Sequence, residues 1–378
     1  QLEPLMQRTA PNPLPLPQSW RKKGILSKVR NGQQMWEMFQ ALGELGDDLP
    51  NAMQLLSGAA RPLLENWFES EVLRATLGTD AIIGAFQSLS SAGSAYTLLH
   101  HVMGQAGGSR GVWGYVQGGM GALANALAQA CEDLHVDIFT EAEVCKILTS
   151  EGKVCGVALG NGRIIETTIV ASTVDANLTF NRFLDEDDLP IEFRQAVGAI
   201  DYSSASMKIN LALAEAPKFS CVASAGISPQ LYGTIHISPT VDYVERAFAD
   251  ALAGWPSTEP VLEITIPTSL DETIAPAGKH LMNVFVQFAP YNLAENKQWD
   301  DIKEEFADRC IAQIARYAPN VPAAIEHRQV LSPLDLERTF GLTGGNIMQG
   351  AMTPNQLFFM RPVVGWADHR TPVRGLYL

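Results

Sequence analysis

The residues with chemical potential are few in this sequence, and their spacing excludes more than it suggests. The seven histidines are scattered through the sequence, and no Ser-His-Asp set is expected. His100 and His101 are adjacent rather than one helical turn apart, so both rings cannot face one metal from a helix. A structural or pocket-lining role is expected for them. His236 lies in the alternating run Thr234-Ile235-His236-Ile237, where it either lines a substrate cavity or is a satisfied core histidine. Arg361 beside Pro362 ranks highest among the polar residues. Proline fixes the chain direction, and a permanently charged planar guanidinium suits a diphosphate or a substrate anion. The alternative is a salt bridge to a carboxylate such as Glu337.

Gly118-Gly119-Met120-Gly121 opens a helical pattern and could offer backbone amides and a positive dipole end to a phosphate. It is not a Gly-x-Gly-x-x-Gly turn after a strand with an acidic residue roughly twenty positions on. No Gly-x-x-x-x-Gly-Lys-Ser/Thr occurs either. Close backbone approach is the preferred reading of these glycines.

Elements must position these residues, and several are legible. The first hundred residues read helical after a Pro-rich opening. A basic cluster (Arg21, Lys22, Lys23, Lys28, Arg30) precedes Met35, Trp36, Phe39 and Leu42 at helical spacing. That stretch suits either peripheral contact with an anionic membrane surface or, as preferred here, a solvated loop leading into a core-facing helix. Met120, Leu123, Leu127, Cys131 and Leu134 predict a helix, and Val136 to Phe139 a short strand. Runs at Val144–Leu148, Val154–Leu159 and Arg163–Ile165 predict a meander with tight turns, one at Asn161-Gly162, and Ile169–Ser172 a returning strand. Further strands are expected at Met207–Leu213, Thr234–Ile237, Val261–Pro267 and His280–Phe288. Trp299, Ile302, Phe306, Cys310, Ile314 and Tyr317 mark a long amphipathic helix.

The 378 residues, 46% hydrophobic and 18% charged, can bury a sizeable core in one multi-lobed unit or two domains. A net charge of -14 argues against a nucleic-acid partner, whose phosphates demand a basic face. No apolar run reaches the length of a transmembrane helix. Five cysteines without a Cys-x-x-Cys suit free thiols in a reducing compartment, and the sequon at Asn177-Leu178-Thr179 then reads as accidental.

Motifs carry the argument further than pattern does. The closing part contains Ser332-Pro333-Leu334-Asp335-Leu336-Glu337, then Gly344-Gly345-Asn346-Ile347, Arg361-Pro362 and Leu376-Tyr377-Leu378. Earlier come Leu98–Gly104, Trp113–Leu123 and Ser269-Leu270-Asp271 followed by Ala275-Pro276. From about Trp67 onward these stretches resemble, in order, the phytoene-desaturase-like flavoproteins, a branch of the amine-oxidase superfamily. The family's N-terminal dinucleotide fingerprint and C-terminal Gly-rich loop are both absent from this sequence. The chain opens on Gln1-Leu2-Glu3-Pro4 and stops inside what reads as a strand, so an interior piece of a longer protein is expected.

The resemblance implies a mixed α/β flavoprotein fold in four parts. Residues 1–110 would be a helical region of the substrate lobe, 111–200 the middle of an FAD-binding domain, 201–330 an α/β substrate lobe and 331–378 a return to the FAD domain. It implies FAD as cofactor, with Val144 touching the adenine end through its backbone, Ser172 and Thr173 approaching the cofactor, and Arg361 facing its diphosphate. Tyr115, Gln117 and His236 are then expected toward the substrate; no metal site and no catalytic side chain are singled out. The reaction implied is oxidation or desaturation of an apolar or amine-type small molecule, with hydride passing to flavin. Flavin chemistry needs little from the protein beyond orientation and exclusion of water, which agrees with the missing acid–base constellation. A non-redox polyene isomerase and a catalytically idle scaffold are the alternatives. The location implied is mitochondrial for an animal source and cytoplasmic for a bacterial one.

Overall fold

A computed structural model describes residues 25–222 and 228–378, so the Pro-rich opening and Arg21, Lys22 and Lys23 lie outside the described residues. Among the described residues five α-helices come first: α1 (Ile25–Gly43), α2 (Leu49–Ser57), α3 (Ala60–Trp67), α4 (Glu71–Asp80) and α5 (Ser94–Val102). The helix expected around Met35 forms as part of α1, but it is not core-facing: Trp36 and Phe39 are 64% and 59% exposed. The core of this region is built instead from Ala60, Leu64, Ile82 and Leu89, packed against Tyr243, Val244 and Ala247.

A two-stranded ribbon, β1 (Gln105–Ala106) and β2 (Ser109–Arg110), leads through Gly118 and Gly119 into α6 (Met120–Asp133). The strand expected from Val136 to Phe139 does not form. The segment has no ladder partner among the described residues, and a strand exists only where its N–H and C=O groups are paired. The meander does form, antiparallel, from β3 (Val144–Ser150), β4 (Lys153–Leu159) and β5 (Ile164–Glu166). After it come β6 (Val170–Ala171) and α7 (Ile191–Gly198).

The largest sheet belongs to β7 (Ser206–Leu213), β8 (Ile235–Ile237), β9 (Val261–Thr265), β10 (His280–Gln287) and β11 (Ile325–Leu331). Its order is β11-β7-β10-β9-β8, and every pair is antiparallel. Strand side chains alternate between faces. Met207, Ile209, Leu211, Leu262, Ile264, Val284 and Val286 therefore share one face and pack on Trp299, Phe306, Cys310 and Ile314 of α9 (Trp299–Ala315). Each such side chain taken out of water contributes about 1.5–3 kcal/mol. The same alternation sends Lys208, Asn210, Glu263, Thr265 and Asn283 to the opposite face, where each is only partly covered. The helix α8 (Val241–Leu252) packs in the second core with α3 and α4 residues.

The last part folds back on the meander. Ser332 Oγ accepts the Asp335 N–H at 3.1 Å and Asp335 Oδ2 accepts the Ser332 N–H at 3.0 Å, a reciprocal cap that starts α11 (Pro333–Phe340), which follows the short α10 (Val321–Ala324). The Ser-Pro-x-Asp motif is thus a helix start with Pro at the first turn, where its missing N–H is no loss. Phe180, Phe193 and Trp366 meet edge to face, with centroids 4.9 and 5.7 Å apart, and tie the return segment to the meander core. The chain closes on β12 (Leu376–Tyr377), which pairs parallel to β6.

Candidate functional site

The last turn of α5 stands between two cavities: His100 lines one and His101 the other. Each cavity is about 710 Å3, within the range of small-molecule sites of about 300–1,000 Å3. Consecutive residues thus serve different spaces, as adjacent positions on a helix must.

The first cavity opens beyond the carboxyl ends of the parallel pair β6 and β12. Val174 and Asp175 follow β6, Leu378 follows β12, and all three line it. Parallel strands commonly receive ligands at that end. Asp175 is buried and fully engaged: Oδ1 accepts the Leu178 N–H at 2.9 Å and Oδ2 the Thr343 N–H at 3.0 Å. Burial, then Asp175, pushes the Tyr202 phenol up to about 12, and its oxygen accepts the Asn177 N–H at 3.0 Å.

Arg361 points into the loop 348–352. It donates to the backbone carbonyls of Met348, Gly350 (3.4 Å) and Ala351 (3.5 Å). The salt bridge to Glu337 considered from sequence is absent, because Glu337 is held elsewhere by the Tyr291 hydroxyl and by the Gly344 N–H at 3.0 Å. Arg361 makes no ion pair with a carboxylate among the described residues, and nothing there accepts its Nε–H. Burial pulls its pKa below the usual guanidinium value, with Tyr202 and Tyr96 opposing. Tyr96 and Phe358, in edge contact at 5.3 Å, and Trp366 add aromatic surface to the same cavity.

The second cavity has the polar face of the large sheet as its floor. The register places Lys208, Phe285, Glu263 and His236 directly opposite one another across β7, β10, β9 and β8. Asp80, at the end of α4, meets His101 Nε2 at 3.2 Å, and the His101 ring lies 4.9 Å from that of Trp113. Burial pushes Asp80 up and His101 down, and each partly offsets the other's shift. Burial, then repulsion from Asp80, pushes Glu263 up to about 7, with Lys208 opposing. His236 bonds Thr79 Oγ1, and burial followed by His101 lowers its pKa to about 4. The Gly118 N–H donates to Asp271 Oδ2 at 2.6 Å, so this amide serves a carboxylate of the chain rather than a phosphate.

Of the residues expected from sequence, Arg361 reaches the first cavity and Tyr115 and His236 the second. His236 is both cavity-lining and hydrogen-bonded, so its two readings hold together. Val144 opens β3 opposite Leu159 and lines neither cavity, and exposed Gln117 lines neither. Ser172 bonds Tyr377 O and Thr179 Oγ1 (2.8 and 2.7 Å), next to exposed Thr173; the cavity begins one residue later, at Val174. Asp80, Asp175, Lys208, Tyr202 and Glu263 were not singled out. For Lys208 and Glu263 the signal existed: each is the single charged residue of its alternating strand. Seeing them as one group requires the strand order, which spacing does not supply.

Residues 1–333 match the family described as flavin containing amine oxidoreductase, and the chain belongs to that family. The pyridine nucleotide-disulfide oxidoreductase domain-containing protein 2 of Rattus norvegicus is 42% identical over 360 residues, 94% of this chain. The chain spans 62% of that protein's length. Prolycopene isomerase of Daucus carota is 26% identical over 70% of this chain and 39% of its own. Among solved structures, an oxidoreductase from Methanosarcina mazei shares the fold with a TM-score of 0.54 at 18% identity, covering 88% of this chain and 66% of its own.

Proposed function

We propose that this chain builds the substrate lobe and one wall of the flavin site of an FAD-dependent oxidoreductase. In this reading flavin occupies the first cavity and a small-molecule substrate the second. The carrying observation is that the motif stretches shared with flavoproteins sort onto these two spaces. Asn346 Oδ1 orders the loop beside Arg361 by accepting the Met348 and Gly350 N–H groups at 2.8 and 3.1 Å, and Arg361 and Leu378 border the first cavity. His101, Trp113, Tyr115, Gly118 and Asp271 border the second.

The residues of the first cavity fit a flavin in kind: aromatic surface for a flat ring, and a guanidinium with a spare Nε–H for an anionic or carbonyl oxygen. Bound flavin would supply the hydride acceptor. The chain's own part is to orient substrate on the sheet floor, shield it from water with Trp113 and Tyr115, and hold or release a proton at Glu263 or the Asp80–His101 pair. A charged floor argues against a pure hydrocarbon substrate, since ionised groups left against hydrocarbon lose hydration without replacement.

The test is anaerobic flavin reduction in the complete protein, followed by absorbance as candidate polar and apolar substrates are added. Bleaching by a polar substrate, with a two-electron-oxidised product, is expected. A flavin that no candidate bleaches while a substrate is isomerised would replace this reading with an isomerase. A protein that purifies without flavin and cannot be loaded with it would remove the reading.

A further inference from the structure

Half-buried charges on this chain are usually paired. Lys303 meets Asp335 at 3.0 Å and Asp80 meets His101 at 3.2 Å. Asn210, on the polar sheet face, donates to Gln329 Oε1 at 3.0 Å. Lys208, Glu263 and Asn283 break the pattern. All three are partly buried and line the second cavity, yet none of their side chains makes a hydrogen bond or ion pair with a described residue.

Their placement is specific. Lys208 on β7 and Glu263 on β9 both lie opposite Phe285 of β10, which separates them. The strands that carry them are two ladder spacings apart, about 10 Å. Asn283 projects from β10 two residues from Phe285, on the same face, opposite Thr265. Opposite charges held near one another but not in contact keep their desolvation cost without the direct attraction that normally offsets it. Such an arrangement is complementary to something that fits between them.

We infer that this floor recognises a dipolar small molecule, its anionic group toward Lys208 and Asn283 and its ammonium or hydroxyl group toward Glu263. The ionisable groups around Glu263 are Asp80 from α4, His101 from α5, Tyr115 from the loop before α6, Lys208 from β7 and His236 from β8. Burial pushes Glu263 up to about 7 and moves Lys208 below the ordinary lysine value. A ligand with an anionic end and an ammonium or hydroxyl end gives both side chains a partner and gains two charge-assisted hydrogen bonds. A ligand with a single polar end gives a partner to only one of them.

The inference deepens the proposed function by naming a substrate chemistry, and it rests on that reading only for the word substrate. Binding is measured without turnover, so its failure leaves the flavin reading untouched. The experiment is calorimetric titration of the complete protein with β-alanine, 3-hydroxypropionate, propionate and ethylamine. At least one of the two dipolar probes should bind about tenfold or more tighter than both single-ended ones, and the tighter of the two identifies the donor Glu263 prefers. Lys208→Met and Glu263→Gln should each remove that advantage, and Lys208→Arg should keep most of it, with melting temperatures confirming that all are folded. Equal binding of propionate and the dipolar probes, no binding of any probe, or dipolar binding unchanged in folded Lys208→Met would overturn the inference.

Discussion

Glu263 shows how far surroundings can move one side chain. Its carboxyl rises from an ordinary 4.5 to about 7, chiefly by burial. Between those values the folded protein holds a proton that the unfolded chain has released. Stability contributed by this group therefore falls as pH rises through that window and stays low above about 7. His236 runs the other way: its folded pKa of about 4 lies below the ordinary 6.5, so its contribution is lost as pH falls from 6.5 toward 4. The two slopes oppose each other, and a single melting curve against pH reads neither. The difference between Glu263→Gln and the unaltered protein isolates the first, because glutamine cannot ionise. That difference in melting temperature should be small near pH 4.5 and grow in favour of the variant up to about pH 7. A difference that is flat across the window would contradict the burial of this carboxylate.

At the scale of elements, the loop between α11 and the first cavity is tightly specified. Gly345 has φ +64, and a Cβ there would sit 2.3 Å from the Pro333 carbonyl oxygen. A left-handed conformation alone costs a non-glycine residue about 1–2 kcal/mol, and a clash with backbone cannot be relieved by a rotamer change. Gly345→Ala should therefore lower unfolding free energy by more than about 2 kcal/mol in denaturant titration. It should also loosen the Asn346 turn and reduce flavin content in the complete protein. A loss below about 1 kcal/mol would mean that the loop shifts freely.

Much of this scale was legible beforehand. Alternation in Met207–Leu213 and three- and four-residue spacing in Met120–Leu134 each report a local period, and β7 and α6 follow them. Val136–Phe139 was misread because an apolar run records a wish for burial, not the presence of a ladder partner. Trp36 and Phe39 were misread for the same reason: amphipathicity predicts a helix, which forms, but not what covers its apolar side. The site was harder still. Arg361 and His236 could be nominated by residue type, whereas the Lys208–Phe285–Glu263–His236 row exists only once four strands separated by long connections are in register.

At the scale of the whole molecule, the proposed function divides cofactor and substrate between two cavities of similar size on either side of the end of α5. Ala367 lines the first and Thr265 the second, and both side chains are partly covered rather than deep in a core. Each can therefore be replaced by tryptophan to fill its own cavity. The deciding measurement is the flavin-to-protein ratio of the complete protein carrying Ala367→Trp or Thr265→Trp, with melting temperatures showing that both are folded. Flavin should be lost from Ala367→Trp and retained by Thr265→Trp, which should fail only in substrate-driven reduction. A full flavin complement in Ala367→Trp, or flavin lost from Thr265→Trp alone, would contradict the assignment of the first cavity to the cofactor.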